Sequence, residues 1–211
     1  MAQKLLGNVQ KGFVFVLSAP AGTGKTTLVR MLAQEFSCIY ESVSCTTRPA
    51  RSGEVDGKDY YFLSKKEFEN KIRQGDFLEY AEVFGYHYGT SQAHVFEQQE
   101  MGKHVFLIID TQGAMQLRKK NFSAVYVFLS PPSLEELKER LIKRKTEDMK
   151  TIKKRLSWAN NEIEMMANYD YHIVNDNLNL AYAILRSIVI AEEHRVYPNK
   201  LKNWPIGGIE S

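Results

Sequence analysis

Cysteine is scarce in this chain. There are two, Cys38 and Cys45, and they form neither a CxxC pair nor a zinc-type spacing. The N-terminus lacks a charged segment followed by an apolar one, so the expectation is a reduced, cytoplasmic protein. Long hydrophobic runs are missing too: Lys, Glu or Asp breaks each candidate before it reaches the ~20 apolar residues of a bilayer-crossing helix. That predicts a soluble protein without a membrane span. Internal repeats, low-complexity tracts and proline-rich linkers are absent, and only the tail after Tyr197, with Trp204, Pro205 and two glycines, reads as loosely tied. A strong charge of one sign is also lacking, the formal net charge being +3. The charge is unevenly spread, however. Residues 138–155 hold nine Lys or Arg against three acids, which fits either an anionic ligand or a solvated helix face.

What is present is a chain of 211 residues, 44% hydrophobic, enough for one sizeable core with small appended lobes. FVFVLSA (13–19), HVFLIID (104–110), AVYVFLS (124–130) and YHIVND (171–176) are strand-length apolar runs of the buried type. Helical spacing separates them. TLVRMLAQEF (27–36) repeats Leu28, Met31, Leu32 and Phe36, SQAHVFEQQEMGK (91–103) stops near Gly102, and Ser133 with Glu136 forms a capping box before LEELKERLIKR (134–144). LNLAYAILRSIVIAEEHRVY (178–197) closes the pattern. Alternating strands and helices imply an α/β fold with a mainly parallel sheet covered on both faces. From Cys45 to Gly89 the rhythm changes: KDYYFL and FLEYAEVFGYHY flank the short helix KEFENKIRQG, capped by Ser64 and Glu67. This predicts a small, partly antiparallel inserted lobe, rich in Arg, Tyr and Glu.

SAPAGTGKTT (18–27) nearly matches the phosphate-loop pattern G-x-x-x-x-G-K-[ST], with Ala19 in place of the first glycine. Backbone N–H groups of such a loop turn toward phosphates, Lys25 reaches their outer oxygens, and the Thr26 hydroxyl is a magnesium ligand. Ala19 precedes Pro20 and is driven to extended backbone, where a Cβ costs nothing. Gly22 and Gly24 are retained where the chain turns beside an anion. The loop follows a buried strand and opens a helix, the context that gives the motif its meaning. A second metal ligand is expected at the end of a neighbouring strand, and Asp110 stands there, although an acid in that place also serves to cap the next turn.

A nucleotide loop alone suits switches, motors and kinases equally, so the second substrate decides. In SVSCTTRPARSGEVDGKDYYF, Arg48 and Arg51 offer planar forks suited to phosphate, and Tyr60 follows. LEYAEVFGYHYGT adds Glu79, Tyr88 and Thr90. These segments, with APAGTGKT, IIDTQGA, PPS before RLIKRKTED, and IVNDNL, resemble the guanylate kinases, from about Gly12 to Val196. The resemblance implies a P-loop NTPase fold of three α/β/α layers, with core 1–44, 91–133 and 161–211, a GMP lobe at 45–90 and a helical lid at 134–160. It implies phosphoryl transfer from ATP to GMP with Mg2+. ATP would meet Ala19, Pro20, Ala21, Gly22, Thr23, Gly24, Lys25, Thr26, Thr27 and Asn175; the metal would meet Thr26 and Asp110, partly through water. GMP would meet Ser44, Arg48, Arg51, Tyr60, Glu79, Tyr88 and Thr90. An ionised Glu79 suits guanine, whose N1–H and N2–H both donate.

Lys25, Arg51, Arg144 and Arg155 are then the catalytic cations, and no covalent nucleophile is required because GMP supplies the acceptor oxygen. Cys45 reads as packing and His87 as lobe surface. Asp176 and Asn177 either approach adenine beside Asn175 or cap the last helix. The chain departs from the family at Ile108, where an acid is common, and at Lys145, where many members carry glycine. Rival readings are a sister nucleoside-phosphate kinase and a non-catalytic interaction module; Ser44, Glu79 and Thr90 argue against the first, Lys25 and Thr26 against the second. Nucleic-acid binding is not expected, since the basic stretch lacks interleaved aromatics. A monomer or a homodimer is.

Overall fold

Val14–Ser18 (β1) is buried at every residue, as a strand covered on both faces must be. In the computed structural model, which describes residues 4–143 and 148–196, β1 leads through the glycine loop into α1 (Lys25–Glu35) and β2 (Ile39–Glu41). The lobe follows, made of β3 (Cys45–Thr46), β4 (Tyr61–Phe62), α2 (Lys65–Gln74), β5 (Phe77–Val83) and β6 (Tyr86–Ser91). The core resumes with α3 (Gln92–Glu100), β7 (His104–Ile108), α4 (Thr111–Lys119) and β8 (Val125–Ser130). Then come α5 (Leu134–Lys143), α6 (Met149–Glu164), a 3₁₀ turn at Met165–Asn168, β9 (Tyr171–Val174) and α7 (Leu178–His194).

The core sheet has the order β2-β7-β1-β8-β9, and every pairing is parallel. Successive side chains of a strand point to opposite faces. Phe15 and Leu17 therefore pack with Leu28 and Leu32 of α1 and Leu185 and Val189 of α7. Val14 and Val16 pack on the other face with Val95 of α3 and Ala114 and Leu117 of α4. The loop after β1 and Asp110 after β7 thus emerge side by side at the carboxyl ends of neighbouring strands, where open parallel sheets bind ligands.

The expected inserted lobe is a second sheet, β4-β3-β6-β5, with antiparallel β3·β6 and β5·β6 pairs and a parallel β3·β4 pair. Its small core is Cys45, Phe68 and Phe77. Cys45 is 4% exposed and burial pushes its thiol up to about 11, which suits packing and not nucleophilic chemistry. His87 is half-buried, its ring stacked on Phe68. The Ser64–Glu67 capping box closes reciprocally. The one expected at Ser133 closes on one side: Ser133 Oγ accepts from Glu136 N at 3.1 Å, but the Glu136 carboxylate turns forward to Arg140 at 2.9 Å, a charged partner one turn ahead. Asn177, and not Asp176, caps α7 by accepting from Leu180 N. The sequence reading missed β2 and β3, of three and two residues, which are too short for a period, and α4, whose glycine interrupts the pattern. α6 runs unbroken across the expected lid–core border at residue 160. Arg144, Lys145 and the tail from Tyr197 lie outside the described residues.

Candidate active site

The loop holds its shape by bonds to its own carbonyls, one of them from Thr23 N to Pro20 O at 3.3 Å. Gly22 and Gly24 have φ of +96° and +100°, a region that side chains avoid. A Cβ on Gly24 would also stand 2.8 Å from Asn175 Nδ2. Thr23 Oγ1 donates to Pro20 O at 2.8 Å, and Asn175 Nδ2 donates to Thr23 O at 2.7 Å. Lys25 Nζ donates to Ala19 O at 2.6 Å, so the ammonium folds back over the loop. Helix α1 begins here with no side-chain cap and no acid in its first turn, which leaves its positive end for an anion. Ala19, Ala21, Lys25 and Thr26 line a cavity of about 840 Å³, whereas Thr27 is exposed away from it. Asn175 is 5% exposed and faces the loop backbone; its own carbonyl accepts from Arg140 Nη1 at 2.9 Å.

Across the cavity the lobe supplies Ser44, Arg48, Arg51, Tyr60, Glu79 and Tyr88. Thr47 and Pro49 bracket Arg48, whose guanidinium donates to both oxygens of Glu54 at 2.8 and 3.0 Å and lies 5.3 Å from the Tyr60 ring centre. Glu54 also accepts from Arg51 N at 2.7 Å, which ties the two arginines to one short loop. Tyr60 and Tyr88 meet edge to face at 5.9 Å. Deeper in, Thr90 Oγ1 donates to Glu79 Oε1 at 2.6 Å, and both residues are at most 3% exposed. Burial pushes the Glu79 carboxyl up to about 7, against the Thr90 bond, which favours the ionised form. Glu79 lies so close to α4 that a Cβ on Gly113 would come 2.2 Å from its Oε2.

Asp110 performs the capping job weighed for it: Oδ1 accepts from Gly113 N at 2.9 Å and Oδ2 from Gln112 Nε2 at 3.0 Å. It also lines the cavity with Thr26. Burial raises its pKa, with Gly113, Gln112 and Lys25 opposing. Ile108 stands in the same wall. A second carboxylate does reach this region, from an unexpected direction. Glu162 of α6 is 6% exposed, and burial pushes it up to about 7 while the charges of Lys25 and Arg155 pull it down and Asp110 pushes it up. Sequence reading missed Glu162 and Gly113. Glu162 extends the buried stripe Ile152, Ala159 of α6, and an acid on the apolar face of a helix is the signal that was there to be read. Arg155 of α6 also lines the cavity.

A phosphate loop, Arg155 of α6 and an Arg–Tyr–Glu lobe thus share one cavity. The guanylate kinase family model matches residues 11–192. The chain belongs to the guanylate kinase family. Among its guanylate kinase relatives, that of Protochlamydia amoebophila is 55% identical over 190 residues, covering 90% of this chain and 96% of the other. That of Lactococcus lactis is 46% identical, covering 89% and 91%. The crystal structure of guanylate kinase from Anaplasma phagocytophilum superposes with a TM-score of 0.73 at 34% identity, covering 92% of this chain and 91% of that one. The guanylate kinase match spans both sheets and helices α5 and α6.

Proposed function

We propose that this guanylate kinase chain transfers the terminal phosphoryl group of ATP to GMP, releasing ADP and GDP. The observation that carries the reading is the single cavity joining Lys25 and Thr26 on one wall to Arg51, Tyr60, Tyr88 and Glu79 on the other. ATP phosphates lie along the loop of residues 19–27, where Lys25 exchanges Ala19 O for phosphate oxygen. The GMP phosphate lies against Arg48, Arg51, Tyr60 and Tyr88. Its base meets Ser44, Thr90 and the Glu79 carboxylate, which takes the N1–H and N2–H bonds in place of water. An oxygen of the GMP phosphate attacks the terminal phosphorus, the bond to the ADP oxygen breaks, and Arg51, Arg144 and Arg155 offset the charge that spreads over the transferring group.

Thr26 and Asp110 fit Mg2+: a hydroxyl and a carboxylate are hard oxygen donors, and each Asp110 oxygen keeps a lone pair beyond the bond it accepts, from Gly113 N at Oδ1 and from Gln112 Nε2 at Oδ2. When bound, the ion offsets negative charge on the outer phosphates of ATP. The reading assigns the enzyme to the cytoplasm, as a monomer or homodimer that takes these small-molecule substrates and no nucleic acid. No helix among the described residues is long and apolar enough to cross a membrane. The test is coupled ADP release with GMP, AMP, CMP and UMP, beside Lys25→Ala. GMP should be preferred by ~10⁴ over AMP, whose ring nitrogen turns a lone pair toward Glu79. Equal rates with all four, or an unimpaired Lys25→Ala enzyme, would defeat the reading.

A further inference from the structure

The β5–β6 hairpin carries Glu79 on one strand and Tyr88 and Thr90 on the other, and turns at Phe84 and Gly85 beyond the Val83–Tyr86 pair. Both turn residues have positive φ, 52° at Phe84 and 84° at Gly85. That is the geometry of a type I′ turn, which favours Asn-Gly or Asp-Gly. A phenylalanine in the left-handed region is an outlier, because its bulk crowds its own backbone there. Turn chemistry therefore does not account for it, and neither does core packing, since Phe84 is 42% exposed.

What the ring touches is the lid. Its centroid lies 6.0 Å from that of Trp158, and the guanidinium carbon of Arg155 stands 5.0 Å from its centre. Both partners project from α6, with Trp158 39% exposed, and all three residues line the cavity. An outlying backbone conformation kept at a contact between two separate elements points to function. We propose that Phe84 is a positioning residue that couples the acceptor hairpin to the lid helix, so that filling the guanine site sets where Arg155 stands. The inference rests on the roles given above to Arg155 and to the hairpin. The hairpin is paired from Glu79–Thr90 to Val83–Tyr86, so a shift at its guanine end is carried to its tip. A cation seated on the ring at that tip follows it. The ring also narrows the rotamers of a long side chain before ATP arrives, leaving less ordering for the reaction to supply.

The test is Phe84→Asn in a Trp204→Phe background, where Trp158 is the sole remaining tryptophan of the two in the sequence. Asn suits the left-handed turn, so the variant should melt at or above its parent. GMP alone should change Trp158 emission in the parent and not in Phe84→Asn, while the GMP Kd stays within ~3-fold. The kcat should fall between about 10- and 100-fold, the scale of a misplaced catalytic group. Phe84→Tyr, which keeps a ring, should retain both the emission response and the rate. An active parent matched by Phe84→Asn in kcat and emission would overturn the coupling alone. A parent that turns over no GMP would overturn the functional reading and the coupling with it. Melting well below the parent would make Phe84 a packing residue and overturn the assignment.

Discussion

In the proposed function, Glu79 concentrates the cost of recognising guanine. Its carboxyl is pushed up to about 7 by burial, so the fold favours the protonated form. The stability this contributes is complete below the unfolded value near 4.5 and is lost as pH rises through about 7. At pH 8 the wild type therefore bears a penalty of order 2 to 4 kcal/mol. Glu79→Gln, still able to accept from Thr90, should melt higher than wild type at pH 8, with the gap closing at pH 5. Its GMP efficiency should nonetheless fall by at least ~1.5 to 3 kcal/mol, because an amide donor then faces guanine's donors. In wild type, GMP efficiency should also decline as pH drops below about 7, a limb that Glu79→Gln lacks. Calorimetric melting and pH-rate profiles check both halves. Gly113→Ala approaches the same carboxylate from behind. The new methyl would displace Glu79 Oε2, the movable end of a side chain, so folding should persist while the GMP-to-AMP preference drops at least ~10-fold. Unchanged selectivity in a kinetic panel would show that Glu79 has room to spare.

At the scale of elements, the loop and the strand end beside it are one unit. Asn175 follows β9 and donates to Thr23 O across 152 residues of sequence, while Arg140 of α5 holds the Asn175 carbonyl. The loop is thereby braced from a strand and a helix that it does not adjoin in sequence. Asn175→Ala removes the brace and leaves the buried Thr23 carbonyl without that donor. Affinity for a non-hydrolysable ATP analogue should fall by about 1 to 2 kcal/mol, with GMP affinity unchanged. Titration calorimetry with each nucleotide separates the two, and an equal loss on both would point to general loosening instead. The same scale explains which boundaries were legible. The 3.6-residue period of α1, α5 and α7 and the apolar runs of β1, β7, β8 and β9 announced themselves, whereas β2 and α4 did not, being short or glycine-interrupted and held by tertiary contact.

The molecule as a whole is a parallel sheet with two attachments, the second sheet and helix α6, whose residues line one cavity with the phosphate loop. Closure of both over ATP and GMP would bring their cations to one phosphoryl group and keep water from taking it. Small-angle scattering should show a smaller radius with GMP and a non-hydrolysable ATP analogue together than without ligand; an unchanged radius would count against closure. Sequence by itself determined the phosphate loop, the main buried strands and the helices with a clear period or cap, the inserted lobe and most of its polar residues, because each is written in neighbours a few residues apart. Ala19 before Pro20, Lys25 with Thr26, and Glu79 with Thr90 are local patterns of that kind. Only the tertiary structure decided that Glu162 comes to Asp110 and Lys25, that Gly113 makes room for Glu79, that Asn175 faces the loop backbone, and that Phe84 meets Arg155. Those pairings join distant segments, and their side-chain directions exist only once the sheet has stacked its helices and set the lobe against the lid.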